Sequence, residues 1–411
     1  MQSNENIKKL KILLLENISS SATESFHQAG LTQITHLKYA PEEKELLELI
    51  PSYHVLGIRS RSFITAKILE QAKKFSAVGC FCIGTNQVDL KAAKMKGVPV
   101  FNAPFSNTRS VAEVTLALII GLFRHLFDHN QNTHQGIWNK SAEGSREIRG
   151  KILGVVGYGH IGKQLGALAE NLGMQVLYYD ITNQLSLGNA KSTFSLDELL
   201  TKSDVVSLHV PQTEQTNLLM GKSQFEKMQK GSFLINLSRG KVVDIDALKN
   251  ALISGHLKGA ALDVFPKEPS TNEEKFYSPL QGMKNVVLTP HIAGSTEEAQ
   301  INIGKEVAQK LVHFLTTGST VGAVNFHDFN LPLEKNRTRY IHIHQNTPGV
   351  LALVNEIFSS HRVNILGQYL QTDAEIGYAV IDCESLSKEL RNEIKSELRK
   401  IKSTLRTYPI Y

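Results

Sequence analysis

The first third of the chain alternates short apolar segments with polar, charge-rich ones. Apolar runs of strand length occur in LKILLLENI, HVLGIRS, FSAVGCFCIG and VPVFNAP, whereas SATESFHQAG and the Lys- and Glu-rich segments between the runs are helical in pattern. Strands that alternate with helices predict a parallel sheet covered on both faces. We therefore expect one α/β domain in this region.

A second α/β series follows a long predicted helix. The helix runs from about Pro104 to about His125, and a polar segment with Trp138, the only tryptophan, comes after it. Six strand-like segments then alternate with helical ones: KILGVVG, MQVLYYD, VVSLHVP, SFLINLS, GAALDVF and NVVLTPH. This order predicts a doubly wound, Rossmann-type fold.

Beyond Ser295 the pattern predicts one more helix and a small separate domain. The helix has apolar residues at roughly helical spacing, namely Ile301, Val307, Leu311 and Phe314, and AVNFHDFNLPL follows as an extended connector. From Arg339 to Tyr411 the order is βαββαβ, beginning with the strand YIHIH. Its two helices each have an apolar face, formed by Val350, Val354, Ile357 and Phe358 and by Leu390, Ile394, Leu398 and Ile401. We expect a ferredoxin-like domain here.

The composition is that of an ordinary globular protein. Of the 411 residues, 41% are hydrophobic and 20% are charged, which argues against extended disorder. The first ten residues, MQSNENIKKL, have no apolar core of a signal peptide. The longest apolar run, VAEVTLALIIGLF, is too short for a bilayer and contains Glu113. We therefore expect a cytoplasmic protein with no membrane partner.

The net charge of +6 leaves nucleic acids and small anions open as partners. Scattered lysines and arginines without a basic-aromatic stripe argue against nucleic acid. The three cysteines, Cys80, Cys82 and Cys383, are too few for a disulfide framework or a four-ligand zinc site, so no metal is expected. Cys80 and Cys82 lie two apart on one strand-like run, and we expect both in apolar packing on the same side.

Gly157, Gly159 and Gly162 form a G-x-G-x-x-G motif between an apolar strand and a helix. The first glycine allows a tight turn, the second lets a pyrophosphate approach the backbone, and the third permits close helix packing. Asp180 ends the next strand, where a carboxylate can bond the adenosine ribose hydroxyls and repel a 2′-phosphate. The combination favours NAD over NADP, and a merely structural glycine turn is the alternative.

Three polar residues stand at or just past strand ends: Arg239 in INLSRGKVVD, Glu268 in LDVFPKEP and His291 in LTPHIAGS. The carboxyl ends of parallel strands meet at the ligand crevice, so residues far apart in sequence can lie together there. Taken singly, they could be a helix cap, a solvated turn residue and a buried histidine with satisfied hydrogen bonds. Their joint occurrence after a nucleotide motif favours a catalytic set.

In these contexts the chain resembles the D-isomer-specific 2-hydroxyacid dehydrogenases, which carry an Arg, a Glu and a His. The resemblance covers essentially the whole chain, through RSRSFIT, IGTNQVDL, FNAPFSNTRSVAE, GYGHIG, SLHVPQT, NLSRG, ALDVFPKEP, LTPHIAGST and HIHQNTPGV. It is specific to the branch with a C-terminal ACT regulatory domain. It implies a discontinuous substrate-binding domain (1–104 and 296–332), an inserted NAD-binding domain (105–295), a linker (333–338) and the ACT domain (339–411).

The implied activity is NAD-dependent oxidation of 3-phosphoglycerate to 3-phosphohydroxypyruvate, the first committed step of L-serine biosynthesis. Trp138 in GIWNK and the C-terminal domain offer two separate contact surfaces, from which we expect a homotetramer. Reduction of 2-oxoglutarate to 2-hydroxyglutarate is the implied side activity. His291 is expected to act as the base, Glu268 to fix its tautomer, and Arg239 to hold the substrate carboxylate. A non-enzymatic NAD-sensing scaffold is the competing hypothesis, against which the intact catalytic set argues.

The resemblance also implies further contacts. Those with substrate are Arg59, Ser60, Asn107 and Lys140, although such a lysine can equally be a solvated side chain. Those with NAD are Gly157, Gly159, His160, Ile161, Gly162, Asp180, His209, Val210, Pro211, Ser238, Asp263 and Gly294, although His209 could be only a satisfied strand-end histidine. Feedback by L-serine would use His344, Asn346 and Asn364, which could also be ordinary turn residues. The segment LPLEKNRTRYIHIH has no hinge glycine, so the strength of inhibition stays open.

Overall fold

The computed structural model describes residues 7–269, 271, 273–332 and 336–410. The chain divides into two compact units, one formed by Met1–Ser106 with Gln300–Tyr411 and the other by Asn107–Ala299.

The first unit contains a parallel sheet of five strands in the order β2-β1-β3-β4-β5. The strands are β1 (Lys11–Leu14), β2 (Gln33–His36), β3 (Val55–Ile58), β4 (Ala77–Cys80) and β5 (Val100–Asn102), and the helices are Ser20–Gln28, Glu43–Leu49, Ala66–Gln71 and Leu90–Met95. The predicted parallel α/β sheet is confirmed. The edge strand β2 was not predicted, because its sequence QITH is largely exposed and lacks an apolar run.

A long helix, Glu297–Thr317, brings the chain back into the first unit. Its residues Val307, Leu311 and Phe314 are fully buried in the core of that unit, where Phe314 lies against Phe101 at a ring separation of 5.7 Å. Ile301, which has the same approximate spacing in the sequence, is exposed.

The second unit contains a parallel sheet of seven strands in the order β12-β11-β10-β9-β6-β7-β8. The strands are β6 (Ile152–Val156), β7 (Gln175–Tyr179), β8 (Lys191–Ser192), β9 (Val205–Leu208), β10 (Ser232–Asn236), β11 (Leu257–Leu262) and β12 (Val286–Leu288), and the helices after β6 are His160–Asn171, Leu196–Lys202, Lys222–Lys227 and Ile245–Ile253. The doubly wound arrangement is confirmed. The two-residue β8 and the helix Lys222–Lys227 were not predicted, because both are too short for a periodic pattern.

The apolar helix before this sheet ends earlier than predicted and is followed by another. The first helix is Thr108–Phe123 and the second is Leu126–His134, with His125 between them in the left-handed region at φ 49°. By length and composition no single helix in the described ranges could cross a membrane, although these two taken together, with a bend of 69°, pass the same test.

The C-terminal part of the first unit is a βαββαβ domain, as predicted. Its strands are β13 (Arg337–Gln345), β14 (Ile365–Thr372), β15 (Ile376–Glu384) and β16 (Thr404–Ile410), and its helices are Val350–Ser360 and Lys388–Lys400. The antiparallel sheet has the order β14-β15-β13-β16. Residues 333–335 of the predicted linker lie outside the described residues, and β13 already begins at Arg337, within the rest of that segment.

One face of this antiparallel sheet belongs to the core of the first unit. Ile341, Ile343 and Tyr378 are buried in the same cluster as the helix Glu297–Thr317. Arg339 on β13 is buried, with 1% of its surface exposed. Its guanidinium forms an ion pair with Asp382, through Nε to Oδ1 at 2.6 Å and Nη2 to Oδ2 at 2.7 Å. It also donates to three backbone carbonyls, those of residues 317, 331 and 332. The domain is thereby fixed to the connector that precedes it.

Both neighbouring cysteines pack with the same apolar cluster, as expected, although Cys82 is only half-buried. Cys80 ends β4 and is buried among apolar side chains. Cys82 lies beyond the strand, where its sulfur is 3.2 Å from Gln87 Nε2 and 3.2 Å from the carbonyl of Gly84. β4 ends at Cys80, so Cys82 lies in the following loop, and its thiol has polar neighbours in addition to the apolar cluster.

Candidate active site

The glycine motif of the second unit forms a tight turn between β6 and the helix His160–Asn171. Gly157 has φ +91°, and a Cβ there would lie 2.6 Å from the carbonyl oxygen of His209. A Cβ on Gly162 would overlap the carbonyl of Gly157. At Gly159 a Cβ would meet none of the described atoms within 4 Å, so the backbone is open at the start of the helix. The N–H groups of a helix's first turn and the positive end of its dipole suit an anionic group here.

Asp180 lies directly after β7 and beside this turn. Its Oδ2 accepts a hydrogen bond from the Tyr158 N–H at 2.8 Å, and its Oδ1 accepts two from Thr182. The carboxylate is therefore held in place before any ligand arrives. The other predicted residues of the turn, His160 and Ile161, are exposed and half-buried respectively.

The next predicted cofactor residues follow β9. Desolvation lowers the pKa of His209 to about 4, so the imidazole is neutral near pH 7. Its Nε2 lies 2.8 Å from Ser207 Oγ, while among the described residues its buried Nδ1 has no hydrogen-bond partner. Val210 borders Gly157, and the carbonyl of Pro211 accepts a hydrogen bond from Thr216 at 2.6 Å. The alternative interpretation, a strand-end histidine with satisfied hydrogen bonds, therefore fits Nε2 but not Nδ1 among the described residues.

His291 and Glu268 form the central pair of the site. His291 Nδ1 lies 2.7 Å from Glu268 Oε2, and Glu268 Oε1 accepts a hydrogen bond from the Phe265 N–H at 2.9 Å. The hydrogen bond with Glu268 raises the pKa of His291, against the effect of burial. Burial acts to raise the pKa of Glu268, but the hydrogen bonds from His291 and Phe265 outweigh it and lower this pKa. The pair therefore makes His291 more basic than an isolated histidine and Glu268 more acidic than an isolated glutamate.

A third carboxylate fixes the loop that presents His291. Asp263 is 1% exposed and follows β11; its Oδ1 accepts from Thr289 Oγ1 and Ile292 N–H, and its Oδ2 from Ala293 N–H, at 2.5 to 2.9 Å. His291 itself has φ 54°, a left-handed conformation that a non-glycine residue keeps only where its surroundings enforce it. Sequence reasoning assigned Asp263 to the cofactor and missed this role, which is visible only in the hydrogen bonds.

Arg239 lies in the turn after β10. Asn236 ties this turn together, because its Nδ2 donates to the carbonyl of Arg239 and its Oδ1 accepts from the N–H and hydroxyl of Ser238. Gly240 packs so closely on Phe265 that a Cβ would overlap the Phe265 carbonyl. This contact places the arginine turn against the segment that carries Glu268. The charge of Arg239 acts to lower the pKa of both members of the central pair.

The four residues predicted to contact substrate lie in three places. Asn107 is buried at the start of the helix Thr108–Phe123, where its side chain lies against Gly294, and Lys140 is exposed in the segment that follows the second helix. In the first unit, the half-buried Arg59 and the exposed Ser60 follow β3.

The three residues predicted to bind an effector lie in the βαββαβ domain. His344 is 2% exposed and stacks on His342 with ring centroids 5.3 Å apart. Asn346 follows β13, and its side chain donates to the carbonyl of Asp373 at 2.6 Å. Asn364 precedes β14 and is exposed.

Comparison with known proteins identifies the class. Residues 116–293 match the family described as D-isomer specific 2-hydroxyacid dehydrogenase, NAD binding domain, and residues 341–406 match the AHAS small subunit-like ACT domain. The solved D-lactate dehydrogenase from Aquifex aeolicus, complexed with NAD and lactic acid, is 28% identical with a TM-score of 0.67, over 77% of this chain and 100% of that one. The fold and site are those of an NAD-dependent oxidoreductase.

Longer matches narrow the class further. The chain is 52% identical to the D-3-phosphoglycerate dehydrogenases of Haemophilus influenzae and of Escherichia coli over 403 residues, which is 98% of this chain and 98% of each relative. Identity to D-3-phosphoglycerate dehydrogenase 1 of Saccharomyces cerevisiae is 45%, over 98% of this chain and 88% of that protein. The chain therefore belongs to the D-isomer-specific 2-hydroxyacid dehydrogenase family and, within it, to the D-3-phosphoglycerate dehydrogenases.

Proposed function

We propose that the protein oxidises 3-phosphoglycerate to 3-phosphohydroxypyruvate with NAD, the first committed step of L-serine biosynthesis. The observation that carries the proposal is the His291–Glu268 pair at 2.7 Å, on a loop fixed by Asp263 and beside the Arg239 turn. An alcohol loses hydride readily only if a base takes its proton in the same step. The names of the full-length relatives support phosphoglycerate as the substrate.

His291 accepts the hydroxyl proton at Nε2 in this proposal. Glu268 holds Nδ1–H, which leaves Nε2 unprotonated in the neutral ring and stabilises the imidazolium formed on proton transfer. Arg239 holds the substrate carboxylate through its forked donors and orients the reacting carbon. NAD, when bound, supplies the hydride acceptor, and Gly157, Gly159 and Gly162 with Asp180 would hold it.

The substrate phosphate requires its own donors. We assign it to Arg59, Ser60, Asn107 and Lys140 by resemblance to the family. A second substrate, the dicarboxylate 2-oxoglutarate, follows from the same chemistry, because its distal carboxylate can replace a phosphate at a cationic contact.

We further propose that L-serine binds the ACT domain at His344, Asn346 and Asn364 and inhibits the enzyme. The ACT match supports an amino-acid effector. A homotetramer is part of this proposal, with the ACT domain and the segment around Trp138, 82% exposed, as its two contact surfaces.

The test is the initial rate of phosphohydroxypyruvate reduction by NADH, with and without L-serine, at fixed ionic strength. Turnover that falls with serine supports both the activity and the regulation. Turnover that serine leaves unchanged refutes the regulatory part alone. Absence of turnover with this substrate refutes the proposed activity and favours another 2-hydroxy acid.

A further inference from the structure

A buried carboxylate in the first unit binds the backbone of the loop after β3. Glu16 lies just past β1, is 1% exposed and has the left-handed φ of 59°. Its Oε1 accepts from the N–H groups of residues 59 and 62 at 3.0 and 2.9 Å, and its Oε2 from the N–H of residue 61 at 3.0 Å. One side chain thus satisfies three backbone donors, within four consecutive residues, of a loop that has left the sheet ladder.

A buried amide holds the same loop from its acceptor side. Gln87 is 4% exposed, and its Nε2 donates to the carbonyl of Arg59 at 2.6 Å and to that of Gly84 at 3.2 Å. The backbone of Gln87 accepts from the N–H of Ile64, which fixes the far end of the loop at 2.8 Å. Both backbone groups of Arg59 are therefore bound by buried side chains from outside the loop.

The loop after β3 carries the polar side chains of Arg59 and Ser60 and lies at the carboxyl edge of a parallel sheet. This is the edge at which such sheets bind ligands. β3 is the central strand of that sheet, and Ser60 after it is exposed. The Glu16 carboxylate also forms a 3.8 Å ion pair with Arg61, whose side chain is 50% exposed. Burying a carboxylate chiefly to bind the backbone N–H groups of one loop is expensive unless the loop geometry itself is needed. A loop required only to turn the chain could do so with its own residues.

We propose that Glu16 and Gln87 are positioning residues that set Arg59 and Ser60 in the geometry that binds the anionic group of the substrate. The inference rests on the proposed function, in which these two loop residues contact substrate. Neither Glu16 nor Gln87 touches substrate in this account. They act through the loop, so their loss affects substrate affinity rather than NADH affinity or the proton-transfer step.

Glu16→Gln is the primary test. The amide keeps the shape but points an NH₂ group at one or more N–H donors, so at least one loop hydrogen bond is lost. We expect the KM for phosphohydroxypyruvate to rise about tenfold, with kcat changed less and the KM for NADH unchanged. Gln87→Leu removes the donor to Arg59 without adding a charge and should raise the same KM, which gives a second variant if Glu16→Gln does not fold.

Asp89→Ala is the matched control. Asp89 is exposed, two residues from Gln87, and caps the helix Leu90–Met95 through the Ala92 N–H at 2.9 Å. The variant should lower the unfolding temperature without changing the KM for phosphohydroxypyruvate. If Asp89→Ala raises this KM as much as Glu16→Gln does, the effect is one of general destabilisation and the inference is refuted.

A double-mutant cycle with Arg59→Ala separates this inference from the proposed function. We expect Arg59→Ala to raise the KM for phosphohydroxypyruvate and Glu16→Gln to add less than about twofold in that background, because both act on one contact. An unchanged KM in Arg59→Ala alone refutes the substrate role of Arg59 and the inference with it. If Arg59→Ala raises this KM but Glu16→Gln has no effect in the otherwise wild-type protein, the inference alone is refuted. The same holds if the effects of the two substitutions are fully additive.

Discussion

Glu268→Gln isolates the electrostatic contribution of the carboxylate to the His291 pair. The amide cannot satisfy both of its present partners, since the Phe265 N–H and the Nδ1–H of His291 are both donors. If its oxygen stays with Phe265, its NH₂ group faces Nδ1 and favours the tautomer with the proton on Nε2, which cannot act as the base. If its oxygen turns to His291, the Phe265 N–H loses its acceptor.

The magnitude follows from the pair's geometry and exposure. A hydrogen bond to a charged partner contributes about 1.5–3 kcal/mol when shielded. The side chains of His291 and Glu268 are 53% and 32% exposed, so solvent screening reduces the loss to just below this range, about 1.4 kcal/mol or tenfold in rate. We therefore expect kcat for oxidation at its pH optimum to fall about tenfold or more, and further where the wrong tautomer dominates.

The pH profile gives the decisive readout. The hydrogen bond with Glu268 raises the pKa of His291, and the base works only when deprotonated, so the oxidation rate falls as pH drops through that pKa. Removing the carboxylate lowers this pKa, and the acidic limb of kcat/KM should move to lower pH. NADH formation with 3-phosphoglycerate from about pH 5.5 to about pH 9 measures it. An acidic limb that stays in place or moves to higher pH refutes the reasoning, and Glu226→Gln on the surface is the control.

Three other substitutions test the fold and the cofactor site. Asp382→Asn leaves the buried Arg339 without its counter-ion and should reduce the free energy of unfolding by about 3 kcal/mol, seen as a lower unfolding temperature in calorimetry. Lys94→Met should lower the unfolding temperature near neutral pH, and this effect should persist at about pH 4 and disappear only at more acidic pH. Its partner Asp373, 2.7 Å away, has its pKa lowered by hydrogen bonds that outweigh burial, so the pair's contribution is lost as this carboxyl protonates in acid. Asp180→Ser removes the acceptor for the Tyr158 N–H and should weaken NADH binding about tenfold in a fluorescence titration, while NADPH binding weakens less.

The sequence predicted the elements whose apolar pattern is long enough to repeat. The central strands of both parallel sheets and the βαββαβ order are of this kind. It did not predict β2 and β8, because the first is an exposed edge strand and the second has two residues. The long apolar helix was expected to end near His125 and ends at Phe123, with a second helix after the left-handed His125, since nothing in the apolar pattern marks that turn.

The residues of the site could be predicted from the sequence only in part. Glycines and charged residues that follow predicted strands can be recognised in the sequence itself, so Gly157, Arg239 and Glu268 could be proposed as site residues. The role of Asp263 in fixing the loop of His291 could not, because it depends on hydrogen bonds to residues 26, 29 and 30 positions later in the chain. The role of Glu16 could not be predicted for the same reason, since its three donors lie more than 40 residues later in the chain.

Three carboxylates in this chain perform one common physical task. Glu16 after β1, Asp180 after β7 and Asp263 after β11 each accept backbone N–H groups of a neighbouring loop. A loop that leaves a parallel sheet loses its ladder partners, and an unpaired buried N–H destabilises the fold by about 1–3 kcal/mol. A carboxylate can accept several such donors and binds each more strongly than a neutral acceptor does. It follows that these acids fix the loops with more precision than turn propensity alone provides, and that neutralising one should disturb the residue its loop presents before it unfolds the domain.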